Sequence, residues 1–159
     1  MILSQEECRV VDLVRDAFQG VKLGNGVGLQ QGQGLDDYAD AKTLSVYRDR
    51  DEKEDWSKIS VEDLDRCNSS LSFFDAEGMR FHLPAFLIAD INRTLKTELI
   101  FYLTAGACYG LSQFEMLSNS QRHAVREYLS LVCMSDRSDE FNRPMIEDAL
   151  SGFWAQPAN

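Results

Sequence analysis

The stretch Ser69-Ser-Leu-Ser-Phe-Phe-Asp-Ala-Glu-Gly-Met-Arg-Phe-His-Leu-Pro-Ala-Phe-Leu-Ile-Ala-Asp90 constrains this chain more than any other part of it. It holds four of the nine phenylalanines, one of the two histidines and one of the three prolines, so it must be buried, and it must turn. Gly78 is the residue there that takes a positive φ at little cost, and Asp75 is placed to accept backbone N–H groups within its own turn. Met79, Phe81 and Leu83 alternate with Arg80 and His82, the period of an extended segment, and the residue before Pro84 is pushed towards extended geometry. Pro84 suits the first turn of a helix, and Ala85, Ile88, Ile91 and Leu95 then share a face. The expectation is a buried turn around Gly78 feeding a helix that begins at Pro84. Gly78 should have positive φ or lie against neighbouring backbone, with Phe73, Phe81 and Leu87 buried.

The flanking segments read mostly as helices. Ser4 and Glu7 form a Ser-x-x-Glu capping box, and Val10, Leu13, Val14, Ala17, Phe18 and Val21 follow at helical spacing, which predicts a first helix ending near Gly20. Ser60 with Asp63 and Ser118 with Gln121 repeat the box before two later helices. The apolar run 98–103 is too short to classify by period; a short helix capped by Thr97 fits somewhat better than a buried strand. Gly106 and Gly110 bracket a loop. Pro144 falls in the first turn of a last helix whose Ile146, Ala149, Leu150, Phe153 and Trp154 share a face. Residues 20–34 carry six of the ten glycines. A phosphate-binding loop would need a helix N-terminus and a Lys or Ser/Thr after it, whereas Asp36 and Asp37 follow here, so this stretch reads as a flexible connector.

A chain of 159 residues with 44% hydrophobic and 26% charged residues reads as one globular domain over 1–159. The pattern predicts a mainly α, compact bundle of five or six helices, with one short β-hairpin near Gly78 as the place where strands fit. A net charge of −10 disfavours nucleic-acid binding, which draws on phosphate neutralisation, and steers basic proteins instead. No signal sequence opens the chain, and no apolar run approaches the roughly 18 residues of a spanning helix, so a cytoplasmic protein without membrane association is expected. Cys8, Cys67, Cys108 and Cys133 lie far apart without a Cys-x-x-Cys, and are expected to be reduced, buried thiols.

More than half of the net charge sits in residues 36–65, where eleven acids face five bases for a net −6. Ala39, Leu44 and Tyr47 indicate a short helix within it. Tyr38, Tyr47 and Trp56 punctuate the acids, and aromatic residues are enriched at binding hot spots. A solvated, salt-bridged face is the plain alternative. The candidate partner-binding residues are Asp36, Asp37, Tyr38, Tyr47, Asp51, Glu52, Glu54, Asp55 and Trp56.

Three pieces of the sequence resemble a family of small bacterial proteins of unknown function: Asp55-Trp56, the central Leu71-Ser-Phe-Phe-Asp-Ala-Glu-Gly-Met-Arg-Phe-His-Leu-Pro-Ala-Phe-Leu87, and Phe114-x-x-Leu117-Ser118-x-x-Gln121-Arg-x-Ala-Val125. The resemblance runs from Gly26 to Leu131 and rests mainly on the central piece. It implies a bacterial origin and one intact domain, and assigns no catalytic residue.

Only His82 and His123 are available for histidine chemistry, and neither has a second His or Cys within helical reach, so no metal and no cofactor is expected. Residues 49–55 lack the glycine and ligand spacing of an EF-hand. Asp75 and Glu77 lie across the turn from His82 and could orient its imidazole; Cys67 would permit a thiol–imidazole pair, and the two acids a hydrolase-like carboxylate pair. The expected function is a small acidic protein-binding module without enzymatic activity, such as an immunity or inhibitor protein masking a basic toxin. The alternatives are a small hydrolase-like enzyme using Asp75, Glu77 and His82, and a structural subunit or homo-oligomer.

Overall fold

Asp75 starts the helix on which the molecule is built: its side chain accepts the N–H of Gly78 at 2.8 Å, and α6 (Ala76–Ile91) then runs for sixteen residues. The computed structural model describes the backbone of residues 2–109 and 111–159 and the side chains of 2–104 and 112–159. Around α6 pack α1 (Gln5–Ala17), α4 (Val61–Arg66), α7 (Leu99–Tyr109) and α8 (Asn119–Cys133). A hairpin of α2 (Leu29–Asp36) and α3 (Ala41–Arg50) lies against α5 (Ser70–Phe73), and α9 (Asn142–Ser151) closes over α7 and α8. Short 3-10 turns occupy Trp56–Lys58, Leu111–Phe114 and Phe153–Ala155. The fold is mainly α, as expected, but with nine α-helices rather than five or six and no strand among the described residues.

The absent hairpin has a physical cause. From Gly78 to Ile91 every residue of α6 except Arg80 is buried, because neighbours cover the helix on all sides. A helix buried all round has no polar face to reveal a 3.6-residue period. His82 is itself fully buried, so the alternation of Met79, Phe81 and Leu83 with Arg80 and His82 is no inside–outside pattern. Pro84 therefore stands inside the helix rather than in its first turn, and cannot donate to the carbonyl of Arg80. Gly78 lacks a positive φ but does lie against neighbouring backbone: a Cβ there would come within 2.6 Å of the Val27 carbonyl oxygen. Phe81 and Leu87 are buried, whereas Phe73 is 38% exposed.

Elsewhere local signals hold. Both halves of the capping box form at Ser4–Glu7 and at Ser118–Gln121. At Ser60 only the cap forms, with Asp63 N–H donating to Oγ at 3.2 Å, because the Asp63 carboxylate pairs with Arg66 instead. The run after Thr97 is helical and carries Gly106 within α7, and Gly110 lies outside the described residues. Phe153 and Trp154 follow α9 in a 3-10 turn, where the Trp154 indole donates to the Leu103 carbonyl at 2.7 Å. At the end of α6, Asp90 is buried against the Tyr128 hydroxyl and Arg137. Cys67 is buried, Cys133 half-buried and Cys8 exposed, contrary to the expectation for Cys8; the Cys108 side chain lies outside the described set. No helix among the described residues is long and apolar enough to cross a membrane.

Candidate interaction surface

The glycine-rich stretch is part connector and part packed helix: residues 20–28 link α1 to α2, and residues 29–34 lie within α2. Gly28 caps α2, and the glycines inside the helix let its neighbours approach. A Cβ on Gly32 would meet the Ser70 side chain of α5 at 2.8 Å, and one on Gly34 would meet Leu44 of α3 at 2.8 Å. Side chains two positions apart on a helix point in widely different directions, so α2 is wedged between α3 and α5 through bare backbone. Ser70 Oγ adds a hydrogen bond to the Leu29 carbonyl at 2.6 Å.

Asp51 ties the base of the hairpin. Its carboxylate accepts the N–H groups of Gln30 at 2.7 Å and Gln31 at 3.1 Å, the open donors of the first turn of α2. It is 7% exposed, and burial raises its pKa against the pull of those two amides. Trp56 is buried as well, its indole N–H donating to the Phe18 carbonyl at 2.9 Å. Glu52 accepts from the N–H groups of Glu54 and Asp55, Asp55 accepts from Ser57, and Glu54 pairs with Lys22. The acids at this end thus hold local structure together.

The other end of the hairpin differs. α2 ends in a Schellman motif: Tyr38 N–H donates to the Leu35 carbonyl at 3.3 Å and Ala39 N–H to the Gly34 carbonyl at 2.9 Å. Position 38 takes the left-handed conformation that this motif requires, φ 58°, with tyrosine where glycine is the usual occupant. The ring is 96% exposed. Asp36 and Asp37 beside it are exposed, and the Asp36 side chain has no hydrogen bond or ion pair among the described residues. Asp40 then caps α3 through Thr43 N–H at 2.8 Å, a bond that lowers its pKa. Tyr47 is half-buried against Gly34. Because α3 spans ten residues, about 15 Å, the fold places Asp36, Asp37 and Tyr38 at one end of the hairpin and Asp51 to Trp56 at the other. Asp40, an N-cap type two residues after Tyr38, was the signal in the sequence for a turn between two helices.

Asp75, Glu77 and His82 make no hydrogen bond or ion pair with one another. Asp75 Oδ1 accepts both Gly78 N–H and Val27 N–H, the latter at 2.9 Å, and Glu77 accepts Asn25 N–H at 3.2 Å, so both anchor the loop before α2. His82 shares a hydrogen bond between Nδ1 and the Gly78 carbonyl at 2.7 Å, and Nε2 is buried without a partner among the described residues. Its ring stacks on Phe74 with centroids 4.3 Å apart. Burial lowers its pKa to about 4. Burial likewise raises the Cys67 thiol, with no hydrogen bond to His82. No cluster of three or more His, Cys, Asp or Glu suited to a metal occurs among the described residues.

No curated protein and no solved structure matches this chain. One family model, described as a family of unknown function, matches residues 6–158, a longer span than the three resembling pieces. The chain belongs to that family, DUF6714.

Proposed function

We propose that this protein is a protein-binding module that engages a basic partner through the tip of the α2–α3 hairpin, in the manner of an inhibitor that masks a basic toxin. The observation that carries the reading is Tyr38. A left-handed backbone costs a non-glycine residue about 1–2 kcal/mol, and this side chain recovers nothing by packing, since it stands in water. Arg93 also has a positive φ, 60°, but its guanidinium meets Glu7 at 3.3 Å and Asp136 at 3.7 Å. Tyr38 has no such internal role. Beside Asp36 and Asp37 it forms an aromatic anchor within a field that steers cationic surfaces.

The test is a photo-crosslinking amino acid at position 38 in producing cells. One discrete adduct with a basic protein is expected, disappearing when Asp36 and Asp37 are changed to Lys. With the purified pair, the same reversal should slow association and flatten its salt dependence. Adducts only with other copies of this chain, or none, would overturn the reading.

A further inference from the structure

Away from the hairpin, a cavity of about 470 Å³ opens between the α6–α7 connection, the first turn of α7 and the segment entering α9. The apolar part of its wall is Leu95, Leu99, Ile100, Phe101, Phe141 and Met145. Phe141 is 83%, Phe101 55% and Met145 36% exposed, so three large apolar side chains left in water gather on the rim of one cavity. That volume and lining suit a small organic ligand.

The polar groups select the head group. Asp90 holds Arg137 from one side: Nη2 donates to both carboxylate oxygens at 2.8 Å, and Nη1 to the Asp90 carbonyl at 3.2 Å. None of these bonds uses Nε, which leaves an edge of a fixed guanidinium for an incoming acceptor. Lys96 lines the same cavity with no ion-pair partner among the described residues. Of the three lining acids, Asp90 is occupied by Arg137 and Tyr128, and Asp139 accepts the N–H groups of Phe141 and Asn142, both at 2.8 Å. The lining thus carries three carboxylates and two cations, and of these five only the Glu98 and Lys96 side chains make no hydrogen bond or ion pair among the described residues.

We propose that this cavity binds a small amphipathic carboxylate, with its apolar body against Phe101, Phe141 and Met145 and its head group on Arg137 and Lys96. The experiment titrates the full chain with decanoate, decanol and decylamine, by calorimetry and by NMR shifts. Decanoate should saturate one site, bind more tightly than the alcohol, and shift Phe101, Phe141 and Met145. Phe141→Ser should weaken it about tenfold. Lys96→Met should weaken it and Glu98→Gln tighten it; both residues are exposed, so neither change threatens the fold. Equal affinity for decanol, tighter binding of decylamine, weakening by Glu98→Gln, or no saturable binding would each overturn the proposal.

Discussion

Asp51 receives the backbone N–H of Gln30 at 2.7 Å across twenty-one positions of sequence, so the residue just after α3 caps the helix before it. Asp51→Ala would remove the acceptor from two first-turn amides and is expected to destabilise the fold by about 2 kcal/mol. Asp51→Asn keeps one acceptor oxygen and should cost less. Urea unfolding of the three proteins checks the order. Equal stability of Ala and Asn variants would show that the cap contributes little.

Tyr38→Gly should move stability the other way. Glycine relieves the left-handed conformation, and an exposed ring has no packing to lose, so a gain of about 1 kcal/mol is expected. In a protein of this size that raises the melting temperature by roughly 2–4 °C. The same substitution should abolish capture of the partner. A lower melting temperature would mean that the ring supports the fold.

Gly78→Ala tests close approach without strain in φ. The added methyl would meet the rigid Val27 carbonyl, and overpacking of this kind costs about 1–3 kcal/mol. Gly20→Ala is the converse case, since its Cβ would meet nothing within 4 Å and its cost, about 1 kcal/mol, comes from the φ of +76° alone. Chemical denaturation should find the Gly78 variant less stable than the Gly20 variant.

His82 sets an acid limit. Its folded pKa of about 4 lies below the ordinary 6.5, so the unfolded chain binds the proton more readily. The contribution is fully present above pH 6.5 and is lost as pH falls from there towards 4, reaching about 3 kcal/mol by pH 4. His82→Gln should be less sensitive to pH over that window. A parallel decline in both proteins would assign the acid sensitivity to the carboxylates.

Much of the frame was legible because it is written locally. Ser4–Glu7 and Ser118–Gln121 are short-range hydrogen-bond patterns, and α1 and α8 each leave a polar face to water. The misread parts depend on distant partners. Nothing near Gly32 announces that Ser70 will press against it, and nothing near Asp51 names Gln30. α6 hid for the opposite reason: with neighbours on all sides, it lost the contrast that periodicity detects. The acidic window was visible as charge, but its division between two ends of a hairpin follows from α2 being helical, which its glycines concealed.

The clamping of the hairpin at its base by Asp51, Ser70 and the buried Trp56 fixes how its far end can meet another molecule. A loop that had to order itself would lose conformational freedom at the moment of contact. Here most of that loss falls at folding, so docking at Tyr38 would proceed as the meeting of two rigid bodies. Such an encounter would have a small entropic barrier, and the lifetime of the complex would follow from the fit of one ring into its receiving pocket.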